Sequence, residues 1–373
     1  MSILFEPAQI GRMSVPNRLV RSATYDGCTE KDGHVTQKQL RLFRDLASGG
    51  TGLLITGITY VHPLGQIAFF QNSLADDDCI PGLKELTHTV HQQGSRIAVQ
   101  LFHAGREAAG LLERKDQQAV GPSVVEDDPY FSRPYREATE EDIQEIVSAF
   151  GEAARRAREA GFDAVQLHAA HAYLPAQFLS PHTNRRQDHW GGSLENRLRL
   201  HREIYRSMRD KAGPDFPILV KLGVADGFPG GLEEGEGLQA ARMLAEEGFD
   251  ALEISSGLRG KRYRETEFRT EILRPEQEAY FRHWCSRVKE RVEVPVIMVG
   301  GLRSPELMEE ILHKGEADLV SLSRPLIREP DLVRRWRRQQ RDRPACISCN
   351  QCLEALFQGY SLHCPQLEGT RDS

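Results

Sequence analysis

His168, His171 and Tyr173 fall within six consecutive positions, directly after the apolar run that ends at Leu167. Two imidazoles three residues apart can donate to one oxyanion, bind a metal ion, or cap neighbouring loops. A zinc site would add a third ligand and an activating carboxylate at defined spacing, and none is in evidence around this pair. A tyrosine two residues further on suits proton donation to a carbanionic carbon, because its neutral form persists at neutral pH. A second set is dispersed along the chain. Gln100, Lys221 and Thr24 offer an amide, a cation and a hydroxyl that could meet the edge of a planar heterocycle. Lys221 would favour negative charge there, as a reduced flavin requires; a lysine satisfied by a core carboxylate is the alternative. Gly57 would leave room for a flat ligand against backbone. Gly300-Gly301 and Ser323-Arg324-Pro325 suit a phosphate, backbone N–H groups facing the anion and Arg324 adding a charged contact; turn glycines and a surface arginine read equally well.

A third set is the cysteine run Cys346-x2-Cys349-x2-Cys352-x11-Cys364-Pro365, which takes four of the chain's seven cysteines. In a reducing cytoplasm such a run reads as metal-binding rather than as a disulfide framework. Three cysteines at intervals of three can wrap one face of a cubane and a distant fourth can close it, so a [4Fe–4S] cluster is the expectation. Structural zinc more often uses two separated C-x₂-C pairs, and free thiols are the remaining reading.

The elements that must position these groups alternate. Eight short aliphatic runs read as buried parallel strands: Leu19–Thr24, Gly52–Tyr60, Arg96–Phe102, Ala164–His168, Pro217–Gly223, Ala251–Ser255, Pro295–Gly300 and Asp318–Ser323. Helical patterns lie between them. Thr36 caps the first, with Leu40, Phe43, Leu46 and Ala47 on one face, and Thr139 opens another with Asp142 at capping-box spacing. Others run over about 81–94, 194–211, 232–248, 276–290, 304–314 and 330–340. Eight strands each followed by a helix describe an α/β fold, a (β/α)₈ TIM barrel, with a doubly wound open sheet as runner-up. The expected organisation is a barrel over residues 1–335 and a short cysteine-rich C-terminal extension over 336–373. The connections 103–138 and 257–275 are too long for plain loops and follow strands at the C-terminal face, where barrels keep their chemistry.

Composition narrows the function classes. Lys and Arg number 48 against 54 Asp and Glu, a net charge of −6 that disfavours sequence-independent nucleic-acid binding. No stretch approaches the ~20 apolar residues of a membrane helix. The N-terminus shows no charged start followed by an apolar run, so a cytoplasmic protein without a secretion signal is expected.

The stretch from His168-Ala-Ala-His171-Ala-Tyr173 through Gln177, Ser180-Pro181, Asn184-Arg-Arg186, Asp188 and Gly191-Gly192-Ser193 to Glu195-Asn196-Arg197 resembles the signature of the old yellow enzyme family. The resemblance extends to Pro16-Asn17-Arg18, Gln100–Arg106, Gly300-Gly301-Leu-Arg303 and Ser323-Arg324-Pro325, spanning about residues 3–335. It implies an FMN-dependent ene-reductase. Ala23, Thr24, Gly57, Gln100 and Lys221 would hold the isoalloxazine ring, and Gly301, with its neighbour Gly300, Ser323 and Arg324 the phosphate. His168 and His171 would bind the carbonyl or nitro oxygen of the substrate, an enone or enoate for the carbonyl case, and Tyr173 would be the proton donor. Three positions depart from the family pattern: Ala172 and Ser323 replace glycines, and Trp190 replaces a tyrosine. The cysteine motif is similar to that of the 2,4-dienoyl-CoA reductase, enoate reductase and trimethylamine dehydrogenase branch. The first strand holds no cysteine to attach FMN, so the flavin is expected to be non-covalent. The branch's larger members continue into a second nucleotide-binding region, which the sequence here does not include. Electrons would then come from NAD(P)H at the flavin, or through the cluster from a ferredoxin- or flavoprotein-type partner docking on the basic run Arg334–Arg338, Arg341 and Arg343; a solvated face on the final helix is the plainer reading of that run. An electron-transfer subunit without organic substrate and an amine dehydrogenase are the competing functions. The sequence leaves the oligomeric state open, a homo-oligomer among the options.

Overall fold

The computed structural model describes residues 2–109, 118–260 and 267–370, so parts of both long connections lie outside the described residues. Eight parallel strands close a barrel in sequential order. They are β1 (Leu19–Arg21), β2 (Leu53–Tyr60), β3 (Arg96–Phe102), β4 (Ala164–Ala169), β5 (Ile218–Gly223), β6 (Ala251–Ser255), β7 (Val296–Met298) and β8 (Leu319–Leu322). Closure comes from β8 pairing with β1, Val320 opposite Leu19. Each expected strand is present; β3 and β6 have the expected bounds, β4 runs one residue further, and the other five are trimmed at their ends.

Helices α1 (Gln37–Ser48), α2 (Ile80–His91), α3 (Glu140–Glu159), α4 (Arg199–Ala212), α5 (Glu234–Glu247), α6 (Arg282–Lys289), α7 (Pro305–His313) and α8 (Leu332–Arg337) surround it. The caps form as their residues require. Thr36 accepts from Gln39 N–H at 3.2 Å, and Thr139 and Asp142 make a reciprocal capping box. The helix expected over 194–211 is broken at Leu198 into Leu194–Arg197 and α4. Several short elements carry too little pattern to be read from sequence: the strand pair Ala8–Ile10 and Met13–Val15, and the helices Leu174–Leu179 and Gln351–Phe357. No helix among the described residues is long and apolar enough to cross a membrane.

The barrel interior is divided along its axis. Toward the N-terminal end, Val20, Leu53, Ile55, Ala98, Ala164, Leu219, Ala251, Ile297 and Leu319 form one apolar cluster. Ile10, Met13 and Val15 of the short strand pair complete that cluster and plug this end. All chemistry is thereby left to the other mouth. Ile10 is fully buried there, so Ile10→Ala should lower unfolding free energy by about 2–5 kcal/mol through lost burial and a residual cavity. Urea denaturation checks this; a loss well under about 1 kcal/mol would mean that the plug is not part of the core.

Candidate active site and cysteine pocket

Above the apolar cluster the interior turns polar. Gln100 on β3 stands opposite Gln166 on β4, and its Nε2 donates to Gln166 Oε1 at 2.7 Å. Gln166 Nε2 donates to Glu253 Oε2 at 2.9 Å. Ser22 Oγ donates to the other carboxylate oxygen of Glu253 at 2.6 Å. Lys221 Nζ donates to Ser22 Oγ at 2.8 Å and lies 3.4 Å from Glu253. Register sets this meeting, since Lys221 is paired with Glu253 on one side and His168 on the other. The bland reading of Lys221, a lysine satisfied by a core carboxylate, therefore describes its contacts. The same ammonium also sits at the level where the barrel opens. Gln166, Glu253 and Ser22 were not singled out from the sequence. The signal was available, because a lone amide or carboxylate inside an aliphatic strand must find a partner.

The end of β4 and the loop after it deliver the expected triad together. The rings of His168 and His171 lie 5.0 Å apart, and those of His168 and Tyr173 4.8 Å, both pairs edge-on. His168 Nδ1 accepts the Ala170 N–H at 3.3 Å, which leaves Nε2 as its proton-bearing, donating nitrogen. His171 Nε2 is 2.7 Å from Ser255 Oγ at the end of β6. If Ser255 is the donor of that pair, Nδ1–H of His171 is left to donate elsewhere. Burial holds both imidazoles well below the ordinary histidine value, helped at His168 by His171 and then Lys221 and Arg259, and at His171 by Lys221 and Arg259. Both are neutral at physiological pH. Tyr173 is held above the usual phenol value by burial, which Arg259 opposes. Arg259 was missed by sequence reasoning. It comes from the loop after β6, lies over the Tyr173 ring at 5.4 Å and places Nη2 3.4 Å from the phenol oxygen. Its own counterion is Glu267.

The departures from the family pattern now have physical accounts. His171 and Ala172 both take the left-handed conformation, φ 56° and 65°, so a glycine would fit at 172 with less strain. Ser323 has φ −129° and needs no glycine. Trp190 is buried and donates to Glu140 Oε2 at 2.6 Å. The second half of the signature is structural. Asn184 Nδ2 ties the Phe178 and Trp190 carbonyls, Arg186 Nη1 those of Pro122 and Ala138, and Arg197 Nη1 that of Leu179.

The remaining expected residues are less simply placed. Thr24 and Ser323 meet at the β1–β8 edge, hydroxyl oxygens 2.8 Å apart, with Ala23 beside them half-buried. A side chain on Gly57 would run into the Thr24 carbonyl at 2.8 Å, so this glycine makes room for the neighbouring strand. Gly300 and Gly301 have φ of 127° and 72°, and the Tyr280 ring packs directly on them. Arg324 reaches away toward the C-terminal segment, Nη1 donating to Arg269 O at 2.7 Å and Asn350 Oδ1 at 2.6 Å. There it lines a pocket whose wall holds Cys346, Cys349, Cys352 and Cys364, with Arg328 beside them. None of the four is in a disulfide, and burial pushes the Cys352 thiol up to about 11. Among the described residues, no three His, Cys, Asp or Glu side chains gather as the ligands of a metal ion. The basic run is largely absorbed by partners: Arg335 pairs with Glu329 and Asp331, Arg341 with Glu306 and Glu309, and Arg343 with Glu278.

The sequence profile of the NADH:flavin oxidoreductase / NADH oxidase family matches residues 3–343. The chain belongs to that family. FMN is the cofactor that the family implies. Among its members, an NADH oxidase of Thermoanaerobacter brockii is 37% identical over 368 residues, covering 97% of this chain and 55% of the relative. An NADPH dehydrogenase of Geobacillus thermodenitrificans is 35% identical, covering 88% of this chain and 92% of its own length. Among solved structures, a 2-naphthoyl-CoA reductase in complex with 2-naphthoyl-CoA superposes with a TM-score of 0.89 at 28% identity, covering 97% of this chain and 56% of that one. The chain spans about half the length of these longer family members.

Four histidines are held down by burial: His168, His171, His103 and His201, the last two to about 3. Each binds a proton more readily unfolded than folded. Their contribution to stability is full above the free imidazole value of about 6.5 and is lost as pH falls below it. The urea midpoint should therefore drop between about pH 7 and about pH 5, ahead of carboxylate titration. A flat midpoint over that window would contradict four neutral buried imidazoles.

Proposed function

We propose that this chain is an FMN-dependent reductase of activated C=C bonds in α,β-unsaturated carbonyl compounds, of the branch that carries a C-terminal iron–sulfur cluster. The observation that carries the reading is the neutral His168–His171 pair, with Tyr173 and Arg259 beside it, standing over the Lys221 layer at the open barrel mouth. Of the residues present, Gln100, Lys221, Thr24 and the backbone of Ala23 and Gly57 would hold the flavin ring. Its phosphate would fall to Ser323, to Gly300 and Gly301, on which the Tyr280 ring packs, and to the Arg324 nitrogens other than Nη1, which is bound to Arg269 and Asn350. When bound, FMN supplies hydride at N5 and Lys221 favours the charge of its reduced ring.

The chain's own residues do the rest. Two neutral N–H donors suit a carbonyl oxygen that gains negative charge as the β-carbon accepts hydride. Because neither imidazole is cationic, the charge on that oxygen is stabilised by dipoles fixed in advance. Tyr173 holds the proton that the α-carbon requires, and Arg259 stabilises the phenolate left behind. Lys221 and Arg259 both disfavour a cationic amine at this spot, which sets the reductive reading above amine oxidation. The names of relatives that act on NADH, NADPH or an aromatic acyl-CoA are consistent with this chemistry. NAD(P)H docking at the same mouth is the proposed donor, with a partner carrier acting through the cysteines as second route. Four thiols on one pocket wall, with Arg324 and Arg328 to offset thiolate charge, fit a [4Fe–4S] cluster, whose ligands stand further apart than those of a single ion.

The histidine pair gives the test. Changing both His168 and His171 to Ala should slow reoxidation of reduced enzyme by an enone by about 100-fold or more. Reduction by NAD(P)H should change little, as stopped-flow absorbance of the flavin would read. Equal losses in both half-reactions would sink the assignment of these residues to the acceptor oxygen.

A further inference from the structure

The roof over the catalytic histidines is held from the cysteine segment. The loop after β6 brings the Phe268 ring 6.4 Å from that of His171. It also carries Glu267, the counterion of Arg259. Three backbone groups of this loop are bound by residues around the cysteine pocket. Asn350 Nδ2 donates to Phe268 O at 2.7 Å, Arg324 Nη1 donates to Arg269 O at 2.7 Å, and Glu271 N–H donates to Ser348 O at 3.2 Å. Arg324 Nη1 also donates to Asn350 Oδ1 at 2.6 Å, so both ends of one carboxamide are engaged.

Asn350 lies between Cys349 and Cys352 and is only 5% exposed. It is left-handed at φ 63°, as is Ser348 at φ 55°. Two left-handed residues between successive cysteines turn the chain so that Cys346, Cys349 and Cys352 line one pocket. Asparagine is among the few side-chain-bearing residues that take this conformation readily. The path of the cysteine run thus fixes where the carboxamide points, and the carboxamide fixes Phe268 and Arg324.

We propose that Asn350 is a positioning residue that couples the cysteine pocket to the substrate site. Whatever the four cysteines hold sets the backbone from Cys346 to Cys352, and Asn350 passes that setting to the roof of residues 267–271 above His171 and Tyr173. The catalytic consequence rests on the proposed ene-reductase reading; the mechanical link does not. Because coupling free energies are reciprocal, a ligand seated under the roof would in turn order the cysteine run.

Amide hydrogen exchange on the anaerobically purified protein tests the link without relying on turnover. Asn350→Gly keeps the left-handed backbone and removes the carboxamide. Asn350→Asp keeps the acceptor for Arg324 and loses the donor to Phe268. Exchange of the peptide covering 267–272 should accelerate by about tenfold in both variants, as a local opening loses a buried hydrogen bond. KM for an enone should rise about as much because the binding surface is loosened, and kcat should fall by less, since Arg259 keeps its own contact with Tyr173. Cys349→Ser alone should accelerate the same peptide, and should add nothing on top of Asn350→Gly. Unchanged exchange in both Asn350 variants would overturn the proposal, as would a Cys349→Ser effect equally large in both backgrounds. If exchange responds as expected while wild type turns over no enone, the coupling stands and the assigned reaction fails.

Discussion

A carboxylate sealed inside the barrel is the constraint on which the site depends. Glu253 is fully buried on β6, and a buried charge without partners would cost several kcal/mol. Parallel register supplies the answer by placing Lys221 opposite it on β5. Ser22 from just past β1 and Gln166 from β4 complete the shell around its two oxygens. Four strands are thereby fixed against one another at a single level. The same register puts His168 next to Lys221. Satisfying one core charge and assembling the polar mouth of the barrel are the same structural event.

Above that layer the chemistry is set by loops, and these obey a different logic. The β4 loop bends through two left-handed residues to bring His171 and Tyr173 back over the barrel. Gln177 then locks it, Nε2 donating to the carbonyls of Ala104 at 3.0 Å and Ala172 at 2.6 Å. The β6 loop contributes Arg259, whose charge is kept by Glu267 and spent on Tyr173. The segment after α8 grips that loop in turn. Each layer is positioned by the one beneath it, and mobility at the site is restrained from the tail as well as from the barrel.

Much of this was legible in the sequence. Aliphatic runs at regular spacing and capping residues located all eight strands and the principal helices, because burial on both faces and orphan N–H groups leave compositional marks. His168, His171 and Tyr173 were legible because their spacing past a strand is itself the geometry. What escaped depends on contacts between residues far apart in sequence. Glu253 needs the barrel to acquire its partners, Arg259 reaches Tyr173 from 86 positions away, and the plug of Ile10, Met13 and Val15 is too short to show a period. Arg324 shows the converse. Its place after β8 suggested one partner, a phosphate, whereas its guanidinium also serves Asn350 and the cysteine pocket. The arginine run before the cysteines reads in sequence as uniformly basic, because charge counts ignore the acidic residues that α7 and the loops bring against Arg341 and Arg343.

The midpoint potential of bound flavin is the most direct measure of whether the Lys221–Glu253 layer faces the cofactor. Glu253→Gln leaves the ammonium without its counterion, so the reduced, negatively charged ring gains stabilisation and the potential should rise. Lys221→Met should lower it, and the double variant should return close to wild type. Potentials that do not move in any of the three, with FMN still bound, would show that this layer is core structure only and that the flavin lies elsewhere.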